Sequence, residues 1–447
     1  MDTILAPATP QGYAGLGILR LSGPGCVALF GRELKREALE PRIMYYGSFI
    51  DPQTGEVLDR LSYVYFAGPQ SFTGEDVLEL FPHGNPLLVQ RILEVLLRDP
   101  HIRLAEPGEF SRRALENGKM DLLQVEALGE FIHAKNIGGL RNAQKILAGK
   151  LSHPLKHLKE QLDHLSIRLE LDVDFSEEEA DPDYTSWEKR IRSVQRDLET
   201  LLKTWARGKR LQTQPRVALF GKPNAGKSSL INRILESDRL IVSEQAGTTR
   251  DYVEIPVQLK KGEIVFVDTA GLGEAIDALD ARAMEKTRSL LGEVDYRVLL
   301  VDGSKDVSEE DLPQDTGSVE FKNSIDLVVY TKKDKESFAV PTSTSHLCVS
   351  SHTGEGVEKL LTILEENVFT DVSLEEEPYL TSERQYQCLQ TALEQIQSAL
   401  GYFEGEPSVE LLAFEIREVR NSLSELIGEY NPEGVLNQIF AGFCIGK

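Results

Sequence analysis

Leucine recurs every three or four positions at Leu147, Leu151, Leu155, Leu158, Leu162, Leu165 and Leu169, and apolar residues do so again at Ile191, Val194, Leu198, Leu201 and Trp205. A period near 3.6 puts such residues on one face of a helix, and that face must bury against another. The pattern returns at Leu389, Leu393, Ile396 and Leu400 and runs on through Val419, Leu423, Leu426 and Ile427. Between the two stretches the period changes to short continuous apolar runs, Val217-Ala218-Leu219-Phe220, Ile264-Val265-Phe266-Val267 and Leu327-Val328-Val329-Tyr330, which read as strands. The leucine stripes could pair as a coiled-coil dimer, but Pro154 interrupts the first, and a bundle within one chain is the simpler reading. Before residue 119, alternating runs such as Gly17-Ile18-Leu19-Arg20-Leu21 and Val77-Leu78-Glu79-Leu80-Phe81 surround a helix over Pro86 to Leu97. The pattern therefore predicts a multidomain chain. It has an α+β domain at 1–118, a discontinuous all-α helical domain at 119–210 and 371–447, and an α/β domain inserted at 211–370. Linkers at Arg207-Gly208-Lys209-Arg210 and Glu375-Glu376-Glu377-Pro378 mark the joints, and the acidic run from Phe175 to Asp181 reads as a solvated loop.

Composition narrows the function classes. At 447 residues two or three domains with ample cores are expected. A formal net charge of −23 argues against a surface that grips a polyanion broadly, so a nucleic-acid substrate would need a small basic patch or a basic partner. The four cysteines, Cys26, Cys348, Cys388 and Cys444, form no Cys-x-x-Cys pair, and the eight histidines show no zinc spacing. A reducing, cytoplasmic setting fits. No secretory leader or membrane-length apolar run is evident, so no membrane association is expected.

Gly221-Lys222-Pro223-Asn224-Ala225-Gly226-Lys227-Ser228 has the spacing of a phosphate-binding loop and stands between the strand-like run ending at Phe220 and the helix-like Ser229-Leu230-Ile231-Asn232. Glycines let backbone N–H groups approach crowded phosphates, Lys227 neutralises the outer ones, and Ser228 holds Mg²⁺. The bland alternative is a Gly-rich turn that happens to end in Lys-Ser, but further segments follow in the order a GTPase needs. Asp268-Thr269-Ala270-Gly271 follows a strand, so Asp268 can hold Mg²⁺ through water and Gly271 can offer its N–H to a γ-phosphate. Gly247-Thr248-Thr249-Arg250-Asp251 supplies Thr249 as the second Mg²⁺ ligand from a switch loop. Thr331-Lys332-Lys333-Asp334 stands where the base is read: Asp334 accepts from guanine N1–H and the exocyclic amine, and the stem of Lys332 covers the ring. Ser350-Ser351-His352 closes over the base. The expected GTP-binding set also takes in Asn224, Ala225, Ser229, Ser243 and Gln245.

The segment from 216 to about 367 resembles a translation-factor-type GTPase domain and departs from it at Thr331, where Asn is usual, which implies weaker nucleotide affinity. Leu272 stands where small signalling GTPases carry a water-orienting glutamine. In GTPases that resemble this one, a K⁺ ion replaces an arginine finger. The resemblance assigns it to Asn224 and to the switch residues Ser243, Gln245 and Thr248, completed when two such domains meet. Asn224 could instead merely brace its loop. The Glu that orients water in that family falls on Asp280, one methylene shorter, so a closer loop or slower hydrolysis is expected.

The polar stretches Ser71-Phe72-Thr73-Gly74-Glu75-Asp76 and Pro107-Gly108-Glu109-Phe110, taken singly, read as turns or caps. The terminal Phe443-Cys444-Ile445-Gly446-Lys447 is a poor prenylation signal, and Cys444 reads as a buried cysteine or a reactive thiol. Together with Asp2-Thr3-Ile4, Gly17-Ile18-Leu19-Arg20 and the GTPase motifs, these segments resemble the MnmE (TrmE) family of tRNA-modification GTPases along the whole chain. The resemblance implies that the N-terminal domain dimerises and binds 5,10-methylene- or 5-formyl-tetrahydrofolate through Arg20, Glu79 and Lys119, with Lys447 from the tail. It also implies a flavin-dependent partner, MnmG (GidA), in a heterotetramer, and addition of an aminomethyl-type group at C5 of the wobble uridine of certain tRNAs. Cys444 is a candidate for direct chemistry by position alone. The competing reading is a ribosome-assembly GTPase switch without modification chemistry. Such proteins append a basic RNA-binding domain, and none is evident here.

Overall fold

The structure, a computed structural model, describes residues 2–10, 12–174, 183–222, 224–236, 253–268, 294–305, 325–339, 347–369, 377–404, 408–430, 433–443 and 446. The chain divides into two compact units. One comprises residues 1–132, 143–205 and 377–447, the other 133–142 and 206–376.

In the first unit, strands β1 (Thr3–Pro7), β2 (Leu19–Ser22), β3 (Met44–Ile50), β4 (Val57–Phe66), β5 (Val77–Phe81) and β6 (Ile102–Leu104) form one sheet in the order β3-β4-β5-β2-β1-β6. Only the β1–β6 pair is parallel. Helices α1 (Gly25–Arg32) and α2 (Pro86–Leu96) accompany it. Asn85 caps α2 by accepting from the Leu87 N–H, and Pro86 occupies the first turn, where its missing N–H costs nothing. Alternation decides the faces: Leu19, Leu21, Leu78 and Leu80 enter the core shared with Cys26, Leu29, Ile92 and Leu96, so Arg20 and Glu79 project from the other face. That face is partly covered by Phe110 of α3 (Glu109–Glu116), which packs with Ile4, Ala6 and Ala105.

Helices α4 (Leu122–His133), α5 (Ile137–Leu147), α6 (Ser152–Asp174) and α7 (Tyr184–Lys203) follow. Pro154 falls in the first turn of α6, so the helix begins there rather than breaking, and Leu151 through Leu169 line one buried face. Those leucines share a core with Ile191, Val194 and Leu198, and with Leu389, Leu393, Ile396, Val419 and Leu423, which the chain supplies much later. Arg384 ties the parts together through a two-pronged contact to Glu126 at 2.7 and 3.0 Å, and its other N–H groups reach the carbonyls of Glu425 and Leu426.

The second unit opens differently from expectation. Arg207-Gly208-Lys209-Arg210 is not an open linker but part of helix α8 (Trp205–Gln212), in which Gly208 is buried. Residues 133–142, read from their periodicity as helical-domain sequence, cluster with the α/β unit. The reason is backbone pairing: Ile137 N–H donates to the Lys261 carbonyl at 2.9 Å and Glu263 N–H to the Lys135 carbonyl at 2.7 Å. Strands β7 (Arg216–Phe220), β8 (Val253–Gln258), β9 (Glu263–Asp268), β10 (Tyr296–Asp302), β11 (Leu327–Thr331) and β12 (Leu347–Cys348) form a second sheet in the order β12-β11-β10-β7-β9-β8. All its pairings are parallel except β8–β9. Helices α9 (Lys227–Leu235) and α10 (Val357–Val368) pack on it through Leu230, Ile231, Ile234, Leu360 and Leu364. The chain then returns to the first unit as α11 (Glu383–Gly401), α12 (Val409–Ile427) and α13 (Glu433–Ala441). No helix among the described residues is long and apolar enough to cross a membrane.

Candidate functional site

A parallel sheet places its useful backbone at the carboxyl ends of its strands, and β7, β10 and β11 all point to one edge of the second unit. After Phe220 the chain turns through Gly221 and Asn224, whose φ of 64° is one that asparagine tolerates better than most residues, to Gly226 before α9. Lys227 opens the helix nearly buried, and its ammonium donates to the Gly221 carbonyl at 2.7 Å and to the Lys222 carbonyl at 3.4 Å. The cation is thus held inside the turn of backbone that the sequence pattern assigned to phosphates. Ser228 and Ser229 follow in the first turn of α9, where unpaired helix N–H groups and the helix dipole favour an anion. Asp268 ends β9 on the same edge.

Thr331 ends β11 and is buried. Its hydroxyl lies 2.7 Å from the Ala225 carbonyl and 3.2 Å from that of Val301, so it clamps the phosphate loop to the neighbouring strand ends. A hydroxyl thus joins these segments at the position where Asn is usual, and threonine brings no amide to it. Lys332 follows with φ of 62°, and its ammonium meets Asp302 at 2.6 Å, which fixes the start of the segment in which the sequence reading placed base recognition. Burial pushes the Asp302 carboxyl up, but hydrogen bonds from Lys332 and Ser304 hold it below its ordinary value. Asp334 receives the Ser350 hydroxyl at 2.6 Å, and that bond holds its carboxyl below the usual range. Ser350 also accepts from the Thr353 N–H, and Gly354 N–H bonds back to the Ser350 carbonyl, so Ser351 and His352 form the tip of a closed turn. Asn224, Ala225, Gly226, Lys227, Thr331, Lys332, Asp334 and Ser350 therefore belong to one edge. Ser243, Gln245, Gly247, Thr248, Thr249, Gly271 and Asp280 lie outside the described residues.

In the first unit, Arg20 and Glu79 are register partners on adjacent strands, and Arg20 Nε donates to Glu79 Oε1 at 2.7 Å. Both side chains are largely withdrawn from solvent, with 19% and 17% of their surface exposed. Arg20 also reaches the Gly446 carbonyl at 3.3 Å and lies 5.9 and 5.8 Å from the ring centres of Phe72 and Phe110. The tail is seated by close backbone contact: a Cβ at Gly446, whose φ is 98°, would stand 2.3 Å from the Pro7 carbonyl oxygen. Lys119 borders Gly74, beside Thr73, whose hydroxyl meets that of Ser22 two residues beyond Arg20. Cys444 and Lys447 lie outside the described residues.

The ionic network beside this face has no counterpart in the sequence reading. Arg113 donates to Glu75 at 3.0 Å, to Asp2 at 2.8 Å and to Glu109 at 3.0 Å, and Arg103 bonds Glu109 as well. Ser22 in turn donates to Glu75 at 2.6 Å. Ser71-Phe72-Thr73-Gly74-Glu75-Asp76 is a turn that ends in a charge cluster, and the adjacent basic pair Arg112-Arg113 was the one available signal for it.

Comparison with known proteins adds an independent line. A family profile described as the MnmE helical domain matches residues 122–444, and one described as the GTP-binding protein TrmE N-terminus matches residues 3–119. The "tRNA modification GTPase MnmE" of Syntrophus aciditrophicus is 35% identical over 461 aligned positions, covering 100% of this chain and 99% of that protein. The same name belongs to relatives in Aquifex aeolicus, 35% identical over 100% of both chains, and Moorella thermoacetica, 36% identical over 100% of this chain and 99% of its own.

Replacing Thr331 with valine keeps the shape and removes the hydroxyl that serves the Ala225 carbonyl. Leaving that buried carbonyl unpaired costs about 1–3 kcal/mol. Titration with a fluorescent GDP analogue should register a roughly tenfold loss of affinity. Unchanged affinity would contradict the clamp.

Proposed function

The chain belongs to the MnmE family, and from that premise we propose that it hydrolyses GTP to drive addition of an aminomethyl-type group to C5 of the wobble uridine of tRNA. The observation that carries this reading is the half-buried Arg20–Glu79 pair with the tail's Gly446 carbonyl upon it, on a sheet that a nucleotide switch does not need. Glu79 Oε2 has no hydrogen-bond partner among the described residues, so it can accept from the amino and ring N–H donors of a reduced pterin. Arg20, Lys119 and Lys447 would meet the carboxylates or polar head of the same folate. When bound, the folate supplies the one-carbon unit. The protein's part is to orient it and keep the charged head desolvated, with Cys444 of the tail a candidate for direct chemistry. A flavin-dependent partner, MnmG, supplies the redox step and basic surface that this acidic chain lacks.

On the nucleotide edge, Lys227, Ser228 and the loop N–H groups would hold the phosphates. Mg²⁺ would bind Ser228 and Thr249, with Asp268 reaching it through water, while Gly271 meets the γ-phosphate. Asp334 selects guanine, and Asp280 orients the attacking water. K⁺ would be held by Asn224 with Ser243, Gln245 and Thr248, at a site completed when the two such domains of a homodimer meet. The G domain, inserted in the helical domain, then converts hydrolysis into movement of that frame. The setting proposed is the cytoplasm.

Two measurements test this. GTP hydrolysis in KCl should exceed that in NaCl at equal ionic strength at least tenfold, and equal rates would remove the K⁺ assignment. Glu79→Gln should weaken equilibrium binding of 5-formyl-tetrahydrofolate at least tenfold while leaving GDP affinity unchanged. Equal folate affinity for the variant would remove Glu79 from the pocket, and no folate binding by the unaltered protein would overturn the one-carbon reading.

A further inference from the structure

The edge of the second sheet remote from the phosphate loop carries a groove of unpaired positive charge. Arg141, Arg210 and Lys261 line a cavity of about 440 Å³, together with Leu211, Pro215 and Asp295. All three basic residues are exposed, and none forms an ion pair with any described residue. Asp295, the one acidic residue in the lining, already accepts the Arg216 N–H at 2.8 Å. In a chain of net charge −23, three adjacent cations left without partners are unusual, because nearby basic residues find carboxylates: Lys135 meets Glu263 at 3.6 Å and Arg216 meets Glu254 at 2.6 Å.

The three cations sit on three different segments, and the fold ties those segments together. Asn136 donates from its amide to the Leu211 carbonyl at 2.9 Å and accepts the Gly139 N–H at 2.7 Å, which joins the α5 segment bearing Arg141 to the α8 segment bearing Arg210. The turn bearing Lys261 pairs with the same stretch through the Ile137 N–H, and Lys261's own N–H donates to the Glu365 carboxylate at 3.1 Å. Gly262 admits this approach because a Cβ there would lie 2.6 Å from that of Asn136. The charges are therefore held at fixed spacing rather than on free loops, so little ordering entropy opposes a multivalent anion. Pro215, Lys261 and Asp295 precede β7, β9 and β10, so the groove lies at the strand starts, about 15 Å along β7 from the phosphate loop.

We propose that this groove is a contact for the phosphate backbone of RNA, with Arg141, Arg210 and Lys261 each neutralising a phosphate. The proposal rests on the reading above that tRNA is the substrate, and it supplies the small basic patch that an acidic chain needs in order to touch one. Each neutralised phosphate releases condensed counterions and contributes roughly 0.7–0.9 to the slope of log affinity against log salt, so three contribute roughly 2–3.

The test is a titration of labelled, unmodified tRNA with the full chain over a series of KCl concentrations. It compares the unaltered protein, the groove variant R141Q/R210Q/K261Q, and a control with the same charge change on α7, K189Q/R190Q/R196Q. The expected result is a salt slope shallower by about 2 for the groove variant, with at least tenfold weaker binding at the lowest salt, while the α7 control keeps the original slope. GDP affinity should be the same in all three proteins. Equal slopes for the groove and α7 variants would overturn the proposal, as would absence of tRNA binding by the unaltered protein. The tRNA-modification reading fails by a different result, persistence of the modified wobble nucleoside in cells without the protein, so the two failures are distinguishable.

Discussion

Neither half of the helical domain can close its own core. The leucine face of α6 and the apolar face of α7 need α11 and α12, which lie on the far side of the second unit in sequence. Burial of a leucine-sized side chain is worth about 1.5–3 kcal/mol, so sharing these faces outweighs the modest added cost of closing a long loop. The consequence is geometric. Where the chain leaves the bundle, Trp205 stacks on Tyr386 at 5.2 Å between ring centres, and the Thr204 hydroxyl accepts the Leu380 N–H at 3.1 Å. Exit and re-entry are thus pinned to one place, a requirement that any intervening α/β fold had to meet.

The parts of this architecture legible in the sequence were those written in local periodicity. The stripe from Leu151 to Leu169, the run Val77–Phe81 and the phosphate loop all depend on near neighbours and fell where expected. What escaped depends on partners distant in sequence. Residues 133–142 carry no local mark of their attachment to the turn at Gly262 or to the end of α8, because the first consists of backbone hydrogen bonds and the second of one buried amide, that of Asn136 donating to the Leu211 carbonyl. Arg207–Arg210 looked like a linker because it is charged and contains glycine, yet arginine and lysine are good helix formers and Gly208 lies buried. Thr331 stood out as a departure from the usual asparagine, but its compensating bond to the Ala225 carbonyl spans 106 residues and could only be seen in three dimensions. The cluster of Asp2, Glu75, Arg103, Glu109 and Arg113 likewise assembles residues from remote segments.

The two candidate chemistries solve the same electrostatic problem in different ways. On the nucleotide edge, charge is met by backbone: carbonyls hold the Lys227 ammonium, and helix N–H groups await an anion. On the N-terminal sheet, charge is met by charge, with Arg20 held by Glu79 and by the tail's carbonyl. Removing one member of such a desolvated pair leaves the other uncompensated, which makes that face sensitive to ligands that rearrange the pairing. Because the two chemistries rest on separate cores, each can be disabled without dismantling the other.

In the function proposed above, one polypeptide joins a guanine-nucleotide engine to a one-carbon pocket for a single purpose. The most direct test is the modified-nucleoside profile of tRNA from cells lacking the protein, complemented in turn by the unaltered chain, by Lys227→Ala and by Glu79→Gln. Only the unaltered chain should restore the C5-modified wobble uridine. Full restoration by either variant, or normal wobble uridines in the uncomplemented cells, would contradict the proposed function.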